Sequence, residues 1–338
     1  MTIRYLEARR GQPADPLVTE VYAEIRRDFG VVAEPFRVQA PAPPILAAAW
    51  AVLREAVLCG RVPRRVKETV AAVISQTNRC PYCVDIHTSL LHAAGGRASA
   101  WALRGRGREA VADPELRAAA EWAAASRSPG AAVLAALPFG PAAAPEMIGT
   151  AAAFHYINRL VTLFLGETPF PMGGRWLAAP SVLATSLRFA RSVRRRLVPG
   201  EALVRLPPAE LPADLSWARP RPEIAAAFAS LAAAVETEAA GPLGEAAAPV
   251  RERIESWDGQ EPPLGEAWAR EAIAGLPRKH HPSARLALLT AQAPHRVGAA
   301  EVAAFRAVWP GDPELVAVAA WAAFTAARRI AAWLDPGR

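Results

Sequence analysis

RVPRRVKETVAAVISQTNRCPYCVDIHT, residues 61–88, describes two helices separated by a short turn. Apolar residues recur with helical spacing from Val66 to Ile74, and the polar run 76–79 then interrupts the pattern. Pro81 is a favoured first residue of a helix, so we expect a new helix to start there with Cys80 as its N-cap. The stretch therefore places two cysteines at the beginning of the second helix.

The residues at the start of this second helix carry redox and acid–base chemistry. Cys80 and Cys83 have the spacing at which two thiols can close a disulfide across a very short loop. Cys83 falls in the first helical turn, where free backbone N–H groups and the helix dipole favour a thiolate. His87 lies one turn further on, so its imidazole shares a face with Cys83 and can take its proton. The pattern predicts a redox-active thiol pair.

Other uses of the two cysteines fit the sequence less well. A structural zinc site needs four ligands, and there is no second Cys-x-x-Cys motif, so no metal is expected. Cys-Pro-Tyr-Cys is also the active-site tetrapeptide of glutaredoxins, which have a thioredoxin-like fold. That fold places a β-strand directly before the tetrapeptide, whereas the pattern of residues 62–76 predicts a helix there. Two inert core thiols are the remaining alternative. The third cysteine, Cys59, is expected to stay free.

A longer pattern surrounds the pair, Glu-x(11)-Cys-x-x-Cys-x-x-x-His, formed by Glu68, Cys80, Cys83 and His87. It resembles the carboxymuconolactone decarboxylase superfamily and, within it, the AhpD-type alkylhydroperoxidases, over roughly residues 20–165. Decarboxylases of the superfamily lack the cysteine pair, so its presence favours thiol chemistry. The resemblance implies an AhpD-like helical bundle.

The resemblance also implies a role for each of these residues. Cys83 would be the peroxidatic thiol that passes through a sulfenic acid, and Cys80 the proton donor and resolving thiol. Glu68 and His87 would form the proton relay, with Glu68 as the final proton acceptor. Tyr82 stands where some members carry a histidine, so we assign it to the substrate site and not to the relay.

The predicted function is a thiol-dependent peroxidase or disulfide oxidoreductase that reduces alkyl or hydrogen peroxides. No Gly-x-Gly-x-x-Gly loop follows a strand and no Walker motif is present, so no cofactor is expected. Electrons would then arrive by exchange with a separate thiol or disulfide reductant protein. The alternative is a non-peroxidatic redox sensor or a thiol-exchange adaptor.

The composition of the chain indicates its fold class and its location in the cell. The chain has 338 residues, 52% of them hydrophobic, and is rich in alanine with few alternating β-type runs. The fold is therefore expected to be all-α. No apolar run reaches about 18 residues without proline or charge, so we expect no membrane span. Three cysteines and an N-terminus without a signal-peptide core predict a cytoplasmic protein.

The net charge of +7 does not by itself indicate a nucleic-acid partner. The cations are nearly all arginine, and the densest group, residues 188–196, lies on a predicted helix without interleaved stacking aromatics. We interpret this group as solvated helix surface. No nucleic acid is expected among the partners.

The second half of the chain echoes the first without its cysteines. Asp113-Pro-Glu-Leu116 recurs as Asp312-Pro-Glu-Leu315, each followed at the same distance by Trp-Ala-Ala. We predict a catalytic domain at 1–180, a Pro/Arg-rich connector at 181–239 and a degenerate copy at 240–338. That copy would bury faces which a single-repeat relative covers by oligomerising, and a homo-oligomer is the alternative way to cover them. His295 is expected to be a surface histidine.

One further segment, 154–159, carries polar residues in an apolar helix. His155 and Asn158 are three apart, share a face and are assigned to substrate binding. A hydrogen-bond network that fixes helix packing is the alternative for this pair. Arg159 is a candidate partner for the buried carboxylate of Glu68.

Overall fold

The computed structural model describes residues 3–7, 15–135, 137–165, 192–193, 195–335 and 337. Regular structure in these ranges is helical, without a β-strand, which confirms the predicted all-α fold. The α-helices are α1 (Pro16–Asp28), α2 (Glu34–Arg37), α3 (Pro43–Leu53), α4 (Arg64–Thr77), α5 (Pro81–Ala93), α6 (Arg97–Gly105), α7 (Pro114–Ala125), α8 (Ala132–Ala135), α9 (Ala144–Phe164), α10 (Pro222–Leu243), α11 (Ala247–Glu255), α12 (Ala267–Ala272), α13 (His281–Gln292), α14 (Ala299–Arg306) and α15 (Asp312–Leu334).

Helices α4 and α5 meet as the sequence predicts. Helix α5 begins at Pro81 with Cys80 as its N-cap. The turn between the helices ends at Arg79, whose φ of 52° lies in the left-handed region. The amide of Cys80 then donates to the carbonyl of Ser75 at 2.9 Å. This turn folds α5 back against α4 and brings the cysteines beside the buried face of α4.

A group of buried ion pairs around Arg54 holds the N-terminal elements together. Arg54 begins a π-helical turn, Arg54–Leu58, at the end of α3. Its guanidinium contacts Asp28 of α1 and Glu55, each at 2.8 Å, and the carbonyl of Val198 at 2.8 Å. Because these charges are buried, removing one would leave another without compensation. The cluster fixes α1 and α3, which form part of the site described below.

Two helix pairs join the halves of the chain into one core. Helix α9, nearly all of it buried, packs on α4 and on α15, while α10 packs on α3 and α15. The predicted boundary between residues 239 and 240 would cut α10, which runs to Leu243. The predicted boundary between residues 180 and 181 and most of the arginine-rich stretch 188–196 lie outside the described residues.

The echo between the halves has a structural counterpart. Each Asp-Pro-Glu-Leu segment begins a helix, α7 or α15, and the tryptophan that follows is buried in both, as Trp122 and Trp321. Helix α7 packs on α4 as α15 packs on α13. These correspondences support a duplicated arrangement. His295 is exposed, as expected of a surface residue.

In the part of the chain that the structure describes, two helical segments are long and apolar enough to span a membrane by length and composition alone, Pro222–Glu255 and Asp312–Leu334. The apolar window of the second is 89% buried and that of the first is 50% buried. Burial against neighbouring helices accounts for the apolar composition of α15, because a core helix must be hydrophobic all round.

Truncation before Ala240 is expected to cause aggregation or a changed oligomeric state. The truncated chain loses α15 and so exposes the apolar face of α9 that α15 covers. Light scattering coupled to size-exclusion chromatography measures the result. A truncated protein that stays soluble, assembles as before and remains fully active would show that the second half does not serve as packing surface.

Candidate active site

A cavity opens beside the N-terminal end of α5. The space free of atoms between its lining residues, with the open solvent at its mouth included, is about 620 Å³. Its polar wall consists of Arg64, Tyr82, Cys83 and His87. The apolar wall comes from α1 to α3, the π-turn, α5 and α9, as Phe29, Ala33, Pro35, Phe36, Trp50, Leu53, Val57, Leu58, Ile86, Phe154, Ile157 and Val161.

The two cysteines of the motif differ in their access to the cavity. They are joined as a disulfide with Cα atoms 5.4 Å apart, and both are buried. Cys83 lines the cavity, whereas Cys80 is not part of its wall. The third cysteine, Cys59, is free and buried, and its burial, together with the nearby Glu55 carboxylate, raises the pKa of its thiol to about 12. Cys59 therefore stays protonated and apart from the pair.

Glu68 lies behind His87 and fixes its orientation. The Nδ1 atom of His87 is 2.7 Å from one Glu68 oxygen, and Nε of Arg64 donates to the other at 2.5 Å. Burial opposes ionisation of Glu68, but Arg64 and His87 outweigh it and hold the pKa of the carboxyl below its usual range. An ionised carboxylate only accepts hydrogen bonds, so Nδ1 of His87 must donate and Nε2 is left to accept.

This geometry gives Glu68 a second role beside the predicted one. Its carboxylate lies against Nδ1 of His87, so it is suited to orienting the imidazole and stabilising its protonated form. Its role as the final proton acceptor stays a prediction.

Tyr82 is part of the cavity wall, with its hydroxyl already engaged. The hydroxyl donates to a Glu34 oxygen at 3.0 Å, which ties α5 to the short helix α2. Burial, and then the negative charge of Glu34, raise the pKa of the Tyr82 hydroxyl above its usual value. Tyr82 therefore stays neutral and offers its ring to the cavity.

His155 and Asn158 do not line this cavity, in contrast to their assignment to substrate binding. Asn78 donates to the Asn158 side-chain oxygen at 3.0 Å and lies 3.1 Å from Nδ1 of His155. The hydroxyl of Ser126 lies 2.9 Å from Nε2 of His155, and the Asn158 amide donates to Ser75 at 3.2 Å. These bonds join α4, α7 and α9, so the packing-network alternative describes the pair.

Arg159 does not pair with Glu68. Its Nε donates to the carbonyl of Ala291 at 2.7 Å, and its Nη1 donates to the carbonyl of His155 at 2.6 Å. Burial, with a contribution from Arg127, lowers the pKa of Arg159 to about 9. Arg159 thus joins the C-terminal end of α13 to α9 and so links the second half of the chain to the first.

Arg64 also lines the site, and the Glu, Cys, Cys and His motif did not identify it. Its spacing of four residues before Glu68 on one helix is a signal the sequence does contain. In the described ranges, no three His, Cys, Asp or Glu side chains converge as ligands for a metal ion. The described polar groups of the cavity wall are the Cys83 sulfur, the His87 imidazole, the Tyr82 hydroxyl and the Arg64 guanidinium, with the Glu68 carboxylate behind His87.

Comparison with known proteins gives a family match and a relative of similar length. The model of the carboxymuconolactone decarboxylase family matches residues 44–125, a range that contains the whole Glu, Cys, Cys and His pattern. A Mycobacterium tuberculosis protein named alkyl hydroperoxide reductase Rv2159c is 43% identical over 334 residues, which cover 98% of this chain and 95% of that protein. No solved structure matches the chain significantly. The likeness to the mycobacterial protein therefore extends through the cysteine-free second half.

Proposed function

The chain belongs to the carboxymuconolactone decarboxylase family, and from this premise we propose that it reduces organic hydroperoxides through Cys80 and Cys83. The observation that carries the proposal is that Cys83 and His87 share the wall of a mostly apolar cavity. An apolar cavity favours the organic part of an alkyl hydroperoxide over a small polar peroxide. The name of the mycobacterial relative supports the same class of reaction.

The first step is attack by the Cys83 thiolate on the terminal peroxide oxygen. Nε2 of His87 takes the thiol proton, because Nδ1 is held by Glu68. The sulfur–oxygen bond forms as the oxygen–oxygen bond breaks, and the leaving alkoxide takes the proton from the imidazolium. The products are an alcohol and the sulfenic acid of Cys83.

The second step closes the disulfide. The sulfur of Cys80 attacks that of Cys83, a sulfur–sulfur bond replaces the sulfur–oxygen bond, and water leaves. The Cα separation of 5.4 Å between Cys80 and Cys83 supports this step, because it lies within the range that a disulfide bond can span. A separate dithiol reductant protein then reduces it by thiol exchange, which restores both thiols and oxidises the carrier.

A steady-state assay tests the proposal against the sensor or adaptor alternative. The full chain is mixed with cumene hydroperoxide and excess dithiothreitol, and peroxide loss is followed. Many equivalents of peroxide consumed per chain support the enzyme. If oxidation stops after one equivalent of peroxide per chain and dithiothreitol does not restart it, the result would refute catalytic reduction and support the sensor or adaptor alternative.

Replacing His87 with leucine is expected to slow peroxide attack by roughly 10²-fold, the usual cost of lost general-base help. Without the imidazole the Cys83 thiol loses its proton acceptor, so its pKa should rise. Stopped-flow oxidation over a range of pH measures both effects. His92→Leu, an exposed histidine on the same helix, is the matched control and should behave as wild type. An unchanged pH–rate profile in His87→Leu would remove the imidazole from the mechanism.

A further inference from the structure

Arg64 contributes a guanidinium to the cavity wall that the steps above do not use. Its side chain is 12% exposed, and its Nε is bound to Glu68 at 2.5 Å. Within the described residues, its two terminal amino groups have no other hydrogen-bond or ion-pair partner. Arg64 is thus anchored at one atom and retains unused donors beside Cys83 and His87.

The remaining polar groups of the cavity wall are already committed. The Tyr82 hydroxyl donates to Glu34, and Nδ1 of His87 donates to Glu68. Nε2 of His87 is occupied by the proton that it takes from the thiol and returns to the leaving oxygen. Among the described side chains that line the cavity, the terminal amino groups of Arg64 are therefore the donors left to bind a peroxide.

The position of Arg64 on its helix is not explained by helix stability. Arg64 is the first residue of α4, where the helix dipole disfavours a cation. The adjacent Arg65 turns outward and pairs with the exposed Glu115. Arg64 instead turns towards Glu68 and the cavity, so its charge lies at the reacting end of an otherwise apolar space.

We propose that Arg64 is a catalytic residue of the peroxide step, donating hydrogen bonds from its terminal amino groups to the peroxide oxygens. It would hold the terminal oxygen towards Cys83 and stabilise the negative charge that develops on the leaving oxygen. The electron pair of the thiolate forms the sulfur–oxygen bond, the oxygen–oxygen bond breaks, and His87 supplies the proton. Arg64 keeps its own protons throughout.

This inference rests on the proposed function and narrows its substrate. Among the described residues of the cavity wall, Arg64 is the one arginine or lysine and would be taken up by the peroxide group, and most of the other described residues are apolar. An anionic group elsewhere on the substrate would then be desolvated without a partner. The substrate class is therefore hydroperoxides whose organic part is uncharged and apolar.

The test compares two reactions of the same thiol in a Cys80→Ser background, where Cys83 is the one accessible reactive cysteine. Iodoacetamide requires only the thiolate, whereas cumene hydroperoxide also requires stabilisation of a leaving oxygen. Arg64→Lys keeps a positive charge beside Glu68 but loses the planar fork of donors. We expect peroxide oxidation to slow by roughly 10²-fold while alkylation changes by less than about two-fold.

The matched control is Arg65→Lys, the same change one residue along and outside the cavity, in which both rates should match the parent. Arg64→Gln is a second variant with the same expected selective loss, in case Arg64→Lys does not fold. Equal slowing of both reactions would mean that Arg64 acts only through Glu68 and His87, and unchanged rates would mean that it does not act. Either result overturns this inference, whereas failure of the unmutated chain to consume peroxide would instead overturn the proposed function.

Discussion

Replacing Cys83 with serine is expected to lower peroxide turnover by at least about 10³-fold, since a serine hydroxyl is a far weaker nucleophile than a thiolate. The expectation depends on Cys83 reaching the cavity wall while Cys80 does not. Cys80→Ser should behave differently, because Cys83 can still be oxidised once but cannot form the disulfide. Without added thiol it should consume one equivalent of peroxide per chain and stop at a sulfenic acid.

Mass spectrometry after trapping with dimedone locates the oxidised sulfur in each variant. The adduct should appear on Cys83 in the Cys80→Ser protein. Cys59→Ser is the control and should retain turnover, because Cys59 is buried, free and outside the pair. An adduct on Cys80 in the Cys83→Ser protein, together with retained turnover, would reverse the assignment. Peptide maps that show Cys59 linked to either motif cysteine in most oxidised molecules would contradict the pairing itself.

Replacing Glu146 with glutamine is expected to destabilise the fold by about 3–5 kcal/mol, the usual cost of breaking a buried ion pair on one side. Glu146 and Lys67 are both 1% exposed, with Nζ of the lysine 3.0 Å from the carboxylate. The backbone N–H groups of Arg61 and Val62 also donate to it at 3.0 Å. Glutamine would leave the lysine charge buried without compensation, beside the loop that leads into α4.

The effect of Glu146→Gln should depend on pH in a defined direction. Burial opposes ionisation of Glu146, but Lys67 and the backbone N–H groups outweigh it and lower its pKa from 4.5 to about 2. Because the folded-state pKa is the lower one, the stabilisation is complete well above 4.5 and is lost as the pH falls towards 2. The difference in stability between wild type and variant should therefore shrink in acid.

Urea unfolding at about pH 7 and about pH 3 measures this dependence. Glu115→Gln removes a carboxylate from an exposed pair with Arg65, so it should cost less than about 1 kcal/mol at either pH. A Glu146→Gln protein as stable as the Glu115→Gln protein at neutral pH would show that the buried pair adds nothing to the fold.

Local features of the chain were predictable because they depend on neighbours in sequence. Pro81 begins α5 and Cys80 caps it through backbone geometry and the loss of one N–H, effects that act within a single turn. The spacing of four residues that puts Cys83 and His87 on one face is likewise a property of any α-helix. The all-α fold follows from composition and periodicity in the same way.

Contacts between distant segments were not predictable in this way. His155 and Asn158 share a helical face as expected, but whether that face meets a cavity or another helix depends on how α9 packs. It meets Asn78, which lies 77 and 80 positions away in sequence. Arg159 likewise finds Ala291, 132 positions away, and not Glu68.

The same distinction between local and long-range effects applies to the candidate site. The residue types and their helical register, including the thiol pair and its histidine, are local and are carried by the stretch 61–88. Which sulfur reaches the cavity, what neutralises Glu68 and which donors remain free on Arg64 depend on packing. Periodicity specifies the face on which a side chain lies, whereas burial and charge partners exist only after the helices have assembled.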